Sequence, residues 1–295
     1  MPASNKALRG RMRSVQNTRK ITRTMELVST SKLKRAQDRV VGARPYAAAL
    51  AEVIGDLITP ELAEQFPLLR RPLPLAKGGP VRAAVILVTS NRGLAGGFNS
   101  NLIKEARHRI AELEGQGYQV DLHGVGRKGI GFFRYVGRAL ASQRIDIGDK
   151  PTAQHAIELV SGLIEEFSAG KLASLDVVYA KFNSPLSTPP TTLRVLPVTA
   201  PVRPKGGVQA DYILTPGPDE ILSQLLPLYV RNQIYRGLVE TAAAEHGARR
   251  TAMKNATDNA GEIYNLLKRT YNRQRQAAIT QEIAEIVGGA AALEG

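Results

Sequence analysis

The glycine-rich stretch Ser90–Asn101 is the segment whose residue types most suggest chemistry. It follows a short apolar run and precedes a helical pattern, and backbone N–H groups in such a turn can bind phosphate. Its spacing fits neither GxxxxGK[ST] nor GxGxxG, and it contains no lysine. We therefore interpret it as a tight strand-to-helix turn whose glycines allow positive φ. We expect no nucleotide to bind it.

Other kinds of catalytic or metal site find little support in the composition. The chain has no cysteine, which excludes disulfides, thiolate metal sites and a cysteine nucleophile. We also find no paired carboxylates and no nucleophile elbow of a Ser/His/Asp enzyme. No two histidines stand four residues apart or in an HExxH frame, so we expect no metal and no cofactor. The four histidines are His108, His123, His155 and His246. We predict that the chain has no catalytic site of its own.

Positive charge is concentrated at the start of the chain. The formal net charge is +14, and the first 44 residues hold twelve of the cations against only Glu26 and Asp38. A segment this lopsided favours an anionic partner: nucleic acid, a lipid surface or an acidic protein. The chain's longest wholly apolar run, Ala83–Val88, is far too short to span a membrane.

Two long segments, one at each end, carry apolar residues at alternating steps of three and four. This spacing puts the side chains on one narrow stripe of a helix, which buries itself best against a second stripe. We expect the two helices to run antiparallel. In the first helix the stripe shifts by one position, to Ile21, Met25 and Val28. We define the helix seam as the stripe residues that the helices bury, and its predicted members are Val40, Leu50, Ile54, Val239, Met253, Ile263 and Leu267.

Strand and helix patterns alternate between these segments. The run Ala83–Ser90 is typical of a buried parallel strand, and the pattern continues to a strand at 191–198. We therefore predict an α/β fold, in which a long antiparallel two-helix coiled coil from the N- and C-termini accompanies a central doubly wound (Rossmann-like) α/β domain. The predicted divisions are residues 1–58 for the first helix, 59–80 for a linker, 81–215 for the α/β domain and 216–295 for the last helix. Pro45 and Pro227 predict kinks.

Four stretches resemble the gamma subunit of F-type ATP synthase. They are Ser14–Gln37 at the N-terminus, Thr89–Asn101 in the centre, and Met253–Glu262 and Tyr271–Ala290 at the C-terminus. The C-terminal stretches are similar to the family signature nearly residue for residue, and the resemblance extends from one end of the chain to the other.

The resemblance implies a rotor. In that family the coiled coil is the central shaft of the complex, and its rotation couples a membrane ring to ATP synthesis or hydrolysis in a ring of alpha and beta subunits. The implied partners are the alpha and beta subunits, the epsilon subunit and the membrane c-ring, with no nucleic acid. Because we find no presequence, the implied location is the cytoplasmic face of a bacterial inner membrane, peripheral and held through the complex.

The resemblance also assigns contact residues. We define the catch residues as those implied to meet loops of the beta subunit: Arg249, Arg250, Gln276, Thr280, Glu282 and Glu285. Which of Arg249 and Arg250 makes the contact stays open. We define the basic track as the residues implied to face acidic loops of the ring: Arg9, Arg11, Arg13, Arg19, Lys20, Arg23, Met25, Lys32, Lys34 and Arg35.

Two other classes of function remain as alternatives. A nucleic-acid-binding protein with a basic helical arm would explain the charge, although aromatic residues are not interleaved with the cations. It predicts salt-dependent binding to duplexes. A nucleotide-binding enzyme built on Ser90–Asn101 predicts that the isolated chain binds ATP.

Overall fold

The computed structural model describes residues 5–58, 64–70, 81–199 and 217–293 of the 295-residue chain. Two helices of 53 and 76 residues begin and end the described part. The elements in chain order are α1 (Asn5–Leu57), β1 (Arg82–Val88), α2 (Phe98–Gly115), β2 (Gln119–Val125), α3 (Arg127–Tyr135), β3 (Ser142–Arg144), α4 (Ala153–Ser168), β4 (Leu172–Ala180), β5 (Pro190–Leu196) and α5 (Pro218–Leu293).

The five strands form one mixed sheet in the order β3-β2-β1-β4-β5. The first four strands are parallel, and β5 runs antiparallel to β4. Every residue of β4 is buried, as expected for a strand with both faces covered. Its one carboxylate, Asp176, is fully buried and bonded to Arg109 and Arg194. The α/β prediction is confirmed.

Alternate side chains of β1 enter two apolar clusters, one on each face of the sheet. Ala84, Ile86 and Val88 join the cluster that contains α4, and Ala83, Val85 and Leu87 join the cluster that contains α2. Both clusters also take side chains from α1 and α5. The sheet is therefore covered on both faces, which is the doubly wound arrangement.

Contacts divide the chain into two compact units: residues 1–29 with 250–295, and residues 30–249. In the described part of the first unit, Arg9 Nε donates to Tyr271 Oη at 2.7 Å, and the Thr22 and Thr257 hydroxyls are hydrogen-bonded at 2.8 Å. A residue near the start of α1 pairs with a later residue of α5, and a later residue of α1 pairs with an earlier residue of α5. The two helices therefore run antiparallel. The coiled-coil prediction is confirmed.

The shift of the stripe within α1 is a wrong prediction. The buried residues are Thr22, Glu26 and Ser29, whereas Ile21 and Val28 are 60% and 51% exposed. Because α1 is one unbroken helix, its inward face is fixed by geometry, and steps of three and four from Leu8 lead to these polar positions. In this part of α1, the position of a residue around the helix determines whether it is buried, and its apolar or polar character does not.

The predicted seam needs one correction. Val40, Leu50, Ile54, Val239 and Met253 are buried and Leu267 is partly buried, but Ile263 is 49% exposed. After Met253 the buried positions are Thr257 and Ala260. The step of four therefore comes before the step of three, and this order turns Ile263 away from the partner helix.

Two elements between β2 and α4 were not predicted, namely α3 and β3. Gly126 has φ of 92°, and a Cβ there would lie 2.1 Å from the carbonyl oxygen of Thr89. A Cβ on Gly129 would lie 2.9 Å from the Thr89 side chain. These glycines let the first turn of α3 pack directly against Thr89 at the end of β1.

The predicted divisions at 58, 80 and 215 remain predictions, because residues 59–63, 71–80 and 200–216 lie outside the described residues. Within the predicted linker, Leu68 and Leu69 are buried in the cluster that contains α4. The helices α1 and α5 continue through Pro45 and Pro227. In the part of the chain that the structure describes, we find no helix long and apolar enough to cross a membrane.

Candidate interaction surface

Within residues 30–249, Asp149 in the segment after β3 contacts both long helices. Its carboxylate pairs with Lys32 of α1, and its backbone carbonyl accepts a 3.0 Å hydrogen bond from Arg39. On the other side, Asp149 Oδ1 lies 3.6 Å from Nε2 of His246 in α5. Burial alone would raise the pKa of the Asp149 carboxyl, but the Lys32 hydrogen bond and the neighbouring positive charges hold it below its ordinary value. We call Asp149, Lys32, Arg39 and His246 the Asp149 latch.

His246 is the buried member of the latch. Its side chain is 3% exposed, and burial lowers its pKa to about 4 despite the opposing charge of Asp149. The imidazole is therefore neutral at pH 7. A neutral ring can take part in hydrogen bonds without the large cost of burying a charge.

Arg249 makes a second connection, from α5 to the turn after β1. Its Nε and Nη2 each donate to the Gly93 carbonyl at 3.3 Å, and Nη2 also donates to the Glu245 carboxylate at 2.6 Å. Burial raises the pKa of Glu245, and the charge of Arg249 opposes that rise. Arg249 is itself only 8% exposed, so its guanidinium belongs to the interior of this unit.

Asn91 holds the turn and the segment after β3 together. Its Nδ2 donates to the carbonyls of Ile145 and Ile147, and its Oδ1 accepts from the Arg127 backbone N–H at 3.0 Å. The backbone N–H and the hydroxyl of Ser90 both donate to Asn99 Oδ1 at 3.0 Å. These contacts bear out the interpretation of Ser90–Asn101 as a tight turn, with Leu94 and Gly96 at positive φ.

The remaining catch residues differ from Arg249 in exposure. Gln276, Thr280, Glu282 and Glu285 are exposed on α5, and Arg250 is partly exposed. The Thr280 hydroxyl donates to the Gln276 carbonyl at 3.0 Å, a bond within the helix that leaves the Gln276 side chain outward. Of the two adjacent arginines, Arg250 is therefore the one whose side chain is accessible.

Most of the basic track is exposed. Arg11, Arg13, Arg19 and Lys20 present their charges to solvent, and Arg9 lies over the Tyr271 ring at 5.2 Å. The other members have partners of their own chain or are partly covered: Arg23 pairs with Glu26, Lys34 with Asp38, Arg35 bonds Ser31, and Met25 is partly buried. Lys32 pairs with Asp149 in the Asp149 latch, and its implied contact with the ring stays a prediction.

Comparison with known proteins decides the family. The ATP synthase family model matches residues 4–293. The chain is 62% identical over 294 residues to the ATP synthase gamma chain of Gemmatimonas aurantiaca, covering 99% of this chain and 100% of that one. The chain belongs to the ATP synthase gamma chain family. A second gamma chain, from Leptospira biflexa, is 40% identical over 292 residues and 99% of both chains.

Solved structures share the fold of this gamma-family chain. A chain of the Euglena gracilis mitochondrial ATP synthase matches with a TM-score of 0.64 at 16% identity, over 98% of this chain and 94% of that one. A chain from the Tetrahymena thermophila mitochondrial ATP synthase, in a structure of the central stalk and c-ring, matches with a TM-score of 0.56 at 21% identity, over 80% of this chain and 99% of that one.

Sequence reasoning missed Asp149, Asn91 and the role of His246. One signal was present, because His246 and Arg249 interrupt the apolar stripe of the last helix, and a polar residue on a buried stripe needs a polar partner. The partners could not be identified, since Asp149 and Gly93 lie in turns about 100 and 150 residues earlier. Among the described residues there is no group of His, Asp and Glu that could hold a metal ion.

Proposed function

We propose that this gamma-family chain is the central-stalk rotor subunit of a proton-translocating F-type ATP synthase. It would couple rotation of a membrane c-ring to ATP synthesis or hydrolysis in a ring of alpha and beta subunits. The observation that carries the proposal is the antiparallel pairing of the N- and C-terminal helices, in a chain matched along its whole length by gamma chains. Two interlocked helices resist bending and twisting more than one does, as transmission of torque requires.

The exposed end of α5 supports a tip that turns inside a sleeve. After Arg275 the chain has no lysine or arginine, and Ile279, Ile283 and Ile286 are 47%, 56% and 71% exposed. Apolar contacts are non-directional, so they need not be broken one by one as the helix rotates. We propose that an apolar sleeve in the ring of alpha and beta subunits covers these isoleucines.

The Asp149 latch and Arg249 supply a mechanical connection within residues 30–249. Through them, two turns of the α/β domain are bonded to α1 and α5 by ion pairs and hydrogen bonds. We assign them the transfer of torque between the sheet and the helices. The catch residues Arg250, Gln276, Thr280, Glu282 and Glu285 would meet the beta subunits, and Arg11, Arg13, Arg19 and Lys20 would face acidic loops, an attraction that weakens with salt.

The remaining assignments concern place and partners. We propose that the epsilon subunit and the c-ring bind this chain, and that it is held peripherally on the cytoplasmic face of a bacterial inner membrane. Chains in solved structures of the ATP synthase central stalk, rotor and c-ring share the fold of this chain, and this likeness supports the proposed partners. Residues 1–58, 81–215 and 216–295 would be its working parts, with 59–80 as the linker.

Co-expression with the alpha and beta subunits tests the proposal. We expect a stable complex whose ATP hydrolysis drives proton pumping in vesicles once the membrane ring is present. Gln276→Ala should lower the ATPase turnover of the complex severalfold without changing the folding of the isolated chain. The matched control is Gln119→Ala, an exposed glutamine at the start of β2, which should leave turnover unchanged. Failure to co-purify, together with sub-micromolar salt-dependent binding of duplex DNA, would refute the rotor role.

A further inference from the structure

A cavity of about 550 Å³ lies at the carboxyl ends of β1 and β2, within residues 30–249. Its walls are the turn after β1, the first residue of α3, the segment 146–150, and one side of α5 from Leu238 to Glu245. Ligands of open α/β sheets bind outside the carboxyl ends of the strands, where the strand order reverses. The strand order reverses between β1 and β4, and the cavity lies beside that point, at the ends of β1 and β2.

The acidic residues of the cavity are already neutralised from outside it. Asp146 accepts two hydrogen bonds from Arg144, at 2.8 and 2.7 Å, and Arg144 also pairs with Glu158 at 2.7 Å. Asp149 pairs with Lys32, and Glu245 pairs with Arg249 at 2.6 Å. None of these three cations lines the cavity. The carboxylates therefore repel an anionic ligand weakly.

The cations that line the cavity have no such partners. Arg92, Arg127 and Lys150 are exposed, and within the described residues none of them forms an ion pair or a side-chain hydrogen bond. The positive charge of Arg92 acts on the cavity lining, since it helps to lower the pKa of the lining residue Asp149. The lining holds three cations and three carboxylates, so the local excess of positive charge comes from Arg144, Lys32 and Arg249 just outside it.

The floor of the cavity offers apolar surface and few free polar groups. Val88, Val125 and Ile147 line it, and the hydroxyls of Thr89 and Thr241 are already bonded to their own chain. A ligand held here would place its anionic groups at the cations and its organic part against the floor. Side chains would provide the recognition. The proposal therefore departs from the expectation that no nucleotide binds at Ser90–Asn101, which concerned recognition by the backbone of that turn.

We propose that this cavity binds a phosphorylated small molecule through Arg92, Arg127 and Lys150. Guanidinium groups form paired hydrogen bonds to phosphate oxygens, and an ammonium adds a point charge. The volume lies within the range of roughly 300–1,000 Å³ that is usual for small-molecule pockets. The proposal is independent of the rotor role, because the free chain carries the whole cavity.

Calorimetry on the full-length chain at low salt tests the proposal, with inorganic phosphate, pyrophosphate, ATP and adenosine as separate probes. We expect saturable millimolar or tighter binding of pyrophosphate and ATP, and none of adenosine. Equal affinities for pyrophosphate and ATP would identify the phosphate groups as the whole ligand, whereas at least tenfold tighter ATP binding would show that the organic part also binds. If none of the phosphate probes binds saturably at concentrations up to about 10 mM, the proposal is overturned.

A charge-matched pair of variants separates a site from general attraction. The double variant Arg92→Ala/Arg127→Ala removes two lining cations whose side chains hold nothing in the fold, and it should weaken pyrophosphate binding at least tenfold. The control Arg107→Ala/Lys171→Ala removes the same charge from α2 and from the residue before β4, outside the cavity lining. We expect less than a twofold effect from the control. Equal losses in both variants would refute a defined site.

Discussion

Acid should destabilise the central domain through His246. The side chain is buried and its pKa is about 4 in the folded chain, against 6.5 for an ordinary histidine. Between these values the unfolded chain binds a proton that the folded chain does not. Folding stability therefore rises with pH in this window and is lost as pH falls. A difference of about 2.5 pKa units corresponds to roughly 3 kcal/mol.

Urea unfolding followed by circular dichroism, at several pH values from 7.5 to 4.5, measures this loss. Carboxylates such as Asp149 also titrate in acid, so the informative quantity is the difference between the native chain and His246→Gln, which carries no titratable ring. The native chain should lose about 2–3 kcal/mol more than the variant across the range. His108→Gln is the control, because His108 is exposed and its variant should follow the native chain. Parallel losses in the native chain and His246→Gln would refute a buried neutral imidazole.

Two comparisons of neighbouring residues test the remaining assignments. Arg249→Ala leaves Glu245 buried without its cation and should destabilise the isolated chain by about 3–5 kcal/mol, whereas Arg250→Ala should leave the urea midpoint unchanged and lower the ATPase turnover of the complex. Equal midpoints for the two variants would contradict the internal role of Arg249. In the first unit, Ala260→Glu should break the helix pair and uncouple ATP hydrolysis from proton pumping, because Ala260 is 6% exposed, whereas Ile263→Glu should preserve coupling. The opposite order would restore Ile263 to the seam.

The elements that depend on local pattern could be predicted from the sequence. The apolar run of β1 and the long stripes of α1 and α5 determine their own conformation, and burial of Val40, Leu50 and Ile54 follows from spacing alone. The helix α3 could not be predicted, because it depends on the close approach of Gly126 and Gly129 to Thr89, some 40 residues earlier. The partners of His246 depend in the same way on the folding of distant turns.

The surface of α1 in the first unit gives a physical reason for an external partner. Between residues 22 and 29 the face turned to α5 is polar, and its groups are satisfied: Thr22 bonds Thr257, Glu26 pairs with Arg23 at 2.9 Å, and Ser29 donates to the Met25 carbonyl at 2.7 Å. Beside it lies a second stripe of Ile21, Met25 and Val28, the apolar positions predicted to face inward. Half-exposed side chains such as Ile21 and Val28 would each gain roughly 1 kcal/mol on being covered. Over these residues α1 pairs through polar side chains and, among the described residues, leaves Ile21 and Val28 half exposed. The proposed ring of alpha and beta subunits would supply this gain by covering them.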